Sequence, residues 1–493
     1  MNVELSHLSD DELVNYLELK RKAKAAELLD SFYEFFVFFW PVIVTDKLKA
    51  ADYHVLLCEE AQDYAESIIA RKPRLYDLII NVPPGTSKST IFSIMLPAWM
   101  WAKDASMKLI TSTHTQALSN TMSSKTLDLI RSNEFQSLFP HVVCSDSTAG
   151  KTELVLTGGG GRLSTSSRSK VTGNHCHLKI MDDLIDASEA ASDAALDQAG
   201  EHMASLSSRN IDEDVTGNIM VMQRISDKDP TATALKKWRK PRHIKLPAKL
   251  NKTVSDEFTH IYADCGHLDP VRKGPKALAA AKILLGSTGY ANQYDQDSTP
   301  QEGGILKKDW FKILQDNRLR AFGIDVDSLI WNFTADTAYT SDEKNDPSAL
   351  LAYAEWDGKI LIRRCSAKWL EMPDLMRWLD EFVAINGGNK YSGVYVEPKA
   401  SGKTIVQLMS SSTSYNVMEG KSPHKDKNTR TRAIAPIVEA GKVILIEDSV
   451  NNWVEDFLKE VTASDPIHDD RRDCFVMAVD RAEFQSEGKV LAC

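Results

Sequence analysis

The sequence predicts an α/β protein in two main units, each a largely parallel sheet flanked by helices. Three observations predict it. The chain has 493 residues, more than one core accommodates. From residue 78 onward, short apolar segments at 78–82, 107–112, 178–182 and 218–222 alternate with helical stretches, the pattern of a parallel sheet. A second series begins near 321. Segments 348–355 and 359–364 flank Asp357-Gly358, a strong hairpin signal, and strands at 393–397 and 443–446 follow, separated by helical stretches.

Taken in order, Ser9-Asp10-Asp11-Glu12 reads as a capping box opening a charged helix that runs to about Leu29. Residues 1–60 are expected to be a helical N-terminal segment of the first unit, and 61–250 its sheet. Residues 251–320, with looser patterning and many Pro, Gly and Lys, are expected to be a linker region, and 321–493 a second domain. The longest apolar run, FYEFFVFFWPVIV at 32–44, is too short to span a bilayer and holds Glu34 and Pro41, so it reads as a buried segment and no membrane is expected. Seven scattered cysteines and the absence of an export pattern point to a reducing, cytoplasmic compartment. A net charge of −10 argues against a protein coated in nucleic acid, but a local basic channel is compatible with it. Basic clusters lie at 236–245 and 421–432; each alone reads as a solvated face, and the first is a candidate for lying near DNA.

The stretch LIINVPPGTSKST at 78–90 reads as strand, tight loop and helix start, the frame in which backbone N–H groups and a helix N-terminus cradle phosphate. Pro84, Gly85, Thr86, Ser87, Lys88, Ser89 and Thr90 are the candidate nucleotide contacts. Lys88 would reach the outer phosphates and Ser89 would hold Mg²⁺. Val82 and Ser87 occupy positions where such loops carry glycine, and a working loop and an inert turn both fit the stretch taken alone. Residues 178–183, LKIMDD, form an apolar strand ending in two carboxylates. Asp182 is assigned to the metal shell and Asp183 to orienting or deprotonating the attacking water. The strand at 217–222 ends in Gln223, placed to sense the γ-phosphate. With three such strands in order, the unit reads as a P-loop ATPase of the ASCE type. The loop lacks arginine; Arg162, Arg168 and Arg209 are the candidates to meet charge on the γ-phosphate, and one acting in a neighbour's site would require a ring.

In the second unit the order strand, hairpin, helix, strand, helix, strand, helix fits a ribonuclease-H-like fold. Asp336, Glu397 and the pair Asp469-Asp470 stand at places that such a fold brings to one sheet edge. Hard carboxylate oxygens there suit two divalent metals roughly 3.5–4 Å apart, the arrangement that cuts phosphodiesters. Asp346 and Asp473 are expected as outer helpers.

With both sites placed, the sequence resembles the large terminase subunit of tailed bacteriophages. The resemblance rests on Asn81-Val82-Pro83-Pro84 through Lys88-Ser89, Leu96-Pro97-Ala98-Trp99, Val171-Thr172-Gly173 ahead of Asp182-Asp183, and Met222-Gln223-Arg224. It continues through Leu246-Pro247-Ala248, YANQYD at 290–295, Asp336-Thr337-Ala338, Glu397 with Ala400-Ser401-Gly402, and His468-Asp469-Asp470. It implies a P-loop ATPase joined to a ribonuclease-H-like nuclease, using ATP with Mg²⁺, and Mg²⁺ or Mn²⁺ at the nuclease. It implies ATP-driven translocation of double-stranded DNA through a portal protein into a procapsid in the host cytoplasm, cutting of concatemers, a ring typically of five subunits, and guidance by a small terminase subunit. Many relatives carry Arg-His-Gly-Lys where this chain has Gly85-Thr86-Ser87-Lys88. Two other readings compete: a helicase-like ATPase with an inert second domain, and a capsid-docking protein with a decayed loop.

Overall fold

The computed structural model describes residues 9–145, 150–169, 171, 173–190, 192–299, 304–338, 346–398, 400–422, 426–448, 452–464, 466 and 468–490, with side chains left out at 400–401 and 483–490. Thr172, part of one motif above, and residues 423–425 of the second basic cluster lie outside the described residues. The chain divides into two compact units, Met1–Lys282 with Thr288–Pro300 and Ile283–Ser287 with Gln301–Cys493.

The first unit is a seven-stranded sheet built from β1 (Leu78–Asn81), β2 (Lys108–Thr113), β3 (Glu153–Val155), β4 (Gly161–Ser166), β5 (Leu178–Asp182), β6 (Gly217–Met222) and β7 (Arg242–Lys245), in the order β3-β4-β2-β5-β6-β1-β7. Every pairing is parallel except β3 with β4. Alternation sorts the strand side chains between two cores. Leu78, Ile80, Ile180, Ile219 and Val221 join one core with the aromatic face of the helix Phe32–Ile43. Ile79, Met181, Met220 and Met222 meet Leu196, Met203 and Leu206 of the helix Asp193–Ser207 on the other face. The apolar run at 32–44 is that buried helix, and among the described residues no helix is long and apolar enough to cross a membrane. The capping box forms: Glu12 N–H donates to Ser9 Oγ at 3.4 Å and Ser9 N–H to Glu12 Oε2 at 2.9 Å.

The stretch expected to be a linker behaves differently. Val254, Phe258, Ile261, Tyr262 and Leu268 are buried in the first unit's main core, so its loose patterning reflects irregular backbone over a packed interior. The 236–245 cluster is also half structural. Arg242 lies in β7 and pairs with Glu60 and Glu257, while Lys236, Lys237 and Lys240 stay exposed.

The second unit orders its strands β13-β12-β9-β10-β11-β14-β8: β8 (Lys312–Gln315), β9 (Asn332–Asp336), β10 (Ser348–Trp356), β11 (Lys359–Lys368), β12 (Gly393–Val396), β13 (Asn416–Glu419) and β14 (Val443–Glu447). β9, β10 and β11 are antiparallel neighbours, and the other pairings are parallel. The β10–β11 turn puts Asp357 at φ 48 and Gly358 at φ 67, both left-handed, as a two-residue hairpin of matching twist requires. The helix Asp470–Val490 covers one face through Cys474, Phe475, Ala478 and Val479, and the helix Met372–Ile385 covers the other through Leu375, Leu379 and Phe382.

Candidate functional site

At the C-terminal end of β1 the loop turns through Gly85 at φ 72 and Ser87 at φ 61. Ser87 therefore adopts the left-handed backbone that glycine takes at no steric cost, a strain of about 1–2 kcal/mol. Thr86 closes the loop by donating its hydroxyl to Pro83 O at 2.8 Å. Pro84, Ser87, Ser89 and Thr90 are half-buried, and Gly85 is exposed at the apex. After Ser89 the chain enters a π-helical turn, Thr90–Met95, before the helix Leu96–Lys103. Such turns accommodate an extra residue and frequently mark functional sites.

β6 lies between β1 and β5, so Gln223, at its end, sits between the loop and the two acids. Lys88 Nζ donates to Gln223 Oε1 at 2.7 Å and pairs with Asp183 Oδ2 at 2.9 Å. Asp182 is fully buried, its Oδ2 accepting from Ser93 Oγ at 2.7 Å and its carboxylate also within reach of the Ser89 hydroxyl. Burial and then the adjacent Asp183 raise its pKa, with Lys88 and the two serines opposing. Asp183 itself has φ 45, held by its N–H to Val221 O and by His114 N–H to its carbonyl, each 3.0 Å. Backbone strain fixed from both sides clusters at functional positions. Asp182 Oδ1 and Asp183 Oδ1 are buried without a hydrogen-bond partner among the described residues, acceptors suited to a cation. Ser89 and Asp182 thus fit a Mg²⁺ shell. Lys88, Ser89, Asp182, Asp183 and Gln223 are brought together.

The three arginines separate. Arg162 is buried beneath this site, donating to Thr111 Oγ1 and Ser93 O at 2.6 Å each and to Thr126 Oγ1 at 3.0 Å. Burial lowers its pKa to about 9, against the pull of Asp182, which still leaves it a cation at neutral pH. It serves its own core and reaches no neighbour. Arg209 O accepts from Cys176 N–H, just ahead of β5, so Arg209 stands at the far end of the strand from Asp182. Arg168 alone is exposed beyond β4 on the nucleotide edge, paired with Glu189 at 2.5 Å.

In the second unit Asp336 ends β9 and Glu397 follows its parallel neighbour β12, with Glu397 N–H bonded to Ala335 O at 2.9 Å. A Cβ at Gly402 would lie 2.0 Å from Glu397 O, so only glycine lets that helix approach the acid. Asp336 N–H donates to Cys474 Sγ at 3.1 Å, which ties β9 to the helix carrying Asp473. Carboxylate oxygens of Asp336, Glu397 and Asp473, all buried, lie within 4.8 Å of one another. Asp346, His468 and Asp470 form a second group within the same limit. Burial, then Asp336, Asp346 and Asp469, push the Asp470 carboxyl up to about 8.

Asp469 joins neither group; it pairs instead with Lys427 at 2.5 Å and Arg472 at 3.4 Å. Asp473, expected as an outer helper, takes the inner place. Arg430 approaches Asp473 at 3.3 Å and Glu397 at 3.8 Å. Part of the basic cluster at 421–432, read as a solvated face, therefore lines the acidic site. The donor set is hard oxygen with incomplete counter-charge, which fits Mg²⁺ or Mn²⁺.

No protein-family model and no curated protein matches the chain. Among solved structures, the large terminase from a thermophilic bacteriophage is similar at 10% identity, covering 85% of this chain and 98% of its own, with a TM-score of 0.49. The HK97 bacteriophage large terminase aligns at 11% identity over 85% of this chain and 94% of its own, with a TM-score of 0.34. The large terminase nuclease from thermophilic phage G20c, solved with bound magnesium, aligns at 16% identity over 37% of this chain and 98% of its own, with a TM-score of 0.27. In the order of its motifs this chain resembles the large terminase subunits of tailed bacteriophages, and these solved structures are of that family.

Proposed function

We propose that the chain is the motor and nuclease of a DNA-packaging machine. ATP hydrolysis in the first unit drives double-stranded DNA through a portal into a procapsid, and the second unit cuts concatemeric DNA at the start and end of packaging. The observation that carries this reading is one chain holding two sites: Lys88, Asp182, Asp183 and Gln223 meet in the first unit, and Asp336, Glu397 and Asp473 meet in the second. The ring of subunits, probed most directly by Arg168 on the exposed edge, and guidance by a small terminase subunit belong to the same proposal.

At the first site, Lys88 leaves Asp183 and Gln223 for the β- and γ-phosphates. The freed Asp183 carboxylate takes a proton from the water whose oxygen bonds to the γ-phosphorus, as the bond to the β–γ bridging oxygen breaks and ADP leaves. Gln223, released from Lys88, reports whether the γ-phosphate is present. Ser89 and Asp182 would hold Mg²⁺, which would supply neutralising charge there. At the second site, Asp336, Glu397, Asp473 and Asp470 would hold divalent cations, which supply an activated water and stabilise the leaving 3′ oxygen. Lys427 and Arg430 offset part of the repulsion among these acids and stand ready for a phosphate backbone.

The test measures Mg²⁺-dependent ATP hydrolysis, with DNA and portal-bearing capsids, and DNA cleavage in the same preparations. Lys88→Ala is expected to lose ATP turnover, and Asp336→Asn to lose cleavage while keeping turnover. An intact protein with no turnover under any of these conditions overturns the motor reading and leaves a nuclease that docks DNA for another motor.

A further inference from the structure

The phosphate loop carries no arginine, yet a second cation reaches it from elsewhere in the first unit. Lys273 follows the irregular stretch after β7, and its Nζ lies 3.0 Å from the point where a Cβ would stand on Gly85, the exposed apex of the loop. Among the described residues, its ammonium makes no ion pair. It is held in place from two sides. Its own N–H bonds Asp269 O at 2.8 Å, and buried Asp269 is clamped by Arg272 Nε at 2.6 Å and Tyr53 OH at 3.2 Å. On the other side the ammonium lies 5.6 Å from the centre of the Tyr294 ring, which stacks on Tyr290 with 3° between planes.

These tyrosines belong to the YANQYD stretch, whose role the two sites above leave unexplained. The stretch and the residue after it are fastened beside Gln223: Ala248 N–H bonds Tyr294 O at 2.6 Å, Asn292 Nδ2 bonds Ile225 O at 2.8 Å, and Arg224 N–H bonds Gln296 Oε1 at 2.9 Å. An unpaired, half-buried lysine braced this way beside Lys88 is costly unless an anion comes to it. Burial, then Arg272, and then Lys88 after the opposing pull of Asp269, shift its pKa down, as expected of a cation crowded by cations.

We propose that Lys273 contacts the outer phosphates of the nucleotide, supplying in the same subunit the second positive charge that this loop lacks. The proposal rests on the ATPase reading. A second lysine at the loop apex would add to the charge of Lys88 along the phosphate chain, and its ammonium would stabilise charge that grows on the γ-phosphate during transfer. The strained, glycine-poor loop then works with two lysines from distant parts of the chain.

The test compares full-length wild type, Lys88→Ala, Lys273→Met and Lys273→Arg by ATP turnover, by affinity for Mg²⁺ with ATP-γ-S, ADP or AMP, and by thermal midpoint. Lys273→Met is expected to lower kcat roughly 100-fold. It should weaken ATP-γ-S binding more than ADP binding and leave AMP unchanged, while Lys273→Arg recovers most of the loss. In the wild type, ATP-γ-S but not AMP should slow acylation of Lys273 by an amine-specific reagent, read by mass spectrometry without any variant. Unchanged turnover in Lys273→Met, equal weakening for all three nucleotides, or acylation indifferent to ATP-γ-S overturns the proposal while Lys88→Ala still tests the ATPase. A wild type that binds no nucleotide overturns both.

Discussion

In the first unit one lysine, Lys88, lies between a carboxylate and an amide, so the nucleotide site is held closed on itself by its own charges. In the second unit Asp336, Glu397 and Asp473 crowd together, and the cations beside them, Lys427 and Arg430, approach from one helix, Lys427–Glu439. On the proposed reading the first arrangement is opened by its ligand, so that phosphate binding and release of Asp183 are one event. The second must be completed by its ligand, because burial raises the Asp473 pKa even against the pull of Lys427 and Arg430. On the proposed function, the respective consequences are a motor that is quiet without nucleotide and a nuclease that is quiet without metal.

The sharpest way to break the comparison is at the second site. Asp473→Asn is expected to lower DNA cleavage roughly 100-fold or more, whereas Asp469→Asn, which loses only its pairs with Lys427 and Arg472, should cost less than about 10-fold. Equal losses in a gel-based cleavage assay would return Asp469 to the inner set. A smaller effect belongs under the first site. Arg162→Met removes a buried cation from beside Asp182 and strands Thr111, Thr126 and Ser93 O, and should destabilise the first unit by about 3 kcal/mol in urea unfolding. Adding wild-type subunits should not rescue its turnover, as it would for a residue acting in a neighbour's site. The smallest effect concerns the loop's departure from glycine. Ser87→Gly relieves the left-handed strain at φ 61 and should raise stability by at most about 1 kcal/mol in the same measurement, with ATP turnover kept. A loss of stability there would mean that the Ser87 side chain holds the loop.

Where local rules sufficed, the sequence was legible. The capping box at Ser9, the strand Leu178–Asp182 and the Asp357-Gly358 turn each follow from a few adjacent residues, and each forms. β4, GRLSTS, was invisible because its polar side chains are buried by partners far away in sequence, Arg162 facing Thr111 and Thr126. The choice between Asp469 and Asp473 turns on helix phase. Asp473 sits beside Cys474, whose Sγ accepts from Asp336 N–H and holds that turn against β9, while Asp469, ahead of the helix Asp470–Val490, pairs with Lys427 and Arg472. Composition cannot fix that phase when the helix start is itself uncertain by a residue. Ser93 and Lys273 were missed for a related reason: nothing local distinguishes a hydroxyl or an ammonium that folds back onto a loop from one that meets solvent.

The π-helical turn at Thr90–Met95 gives the phosphate loop a dependence on length as well as on composition. It holds one residue more than an α-helical turn would. Taking one out would tighten the turn and swing the loop by about 100° against the helix that follows, carrying Ser93 away from Asp182. A substitution in this stretch changes one contact; a one-codon deletion would change the aim of every group before it.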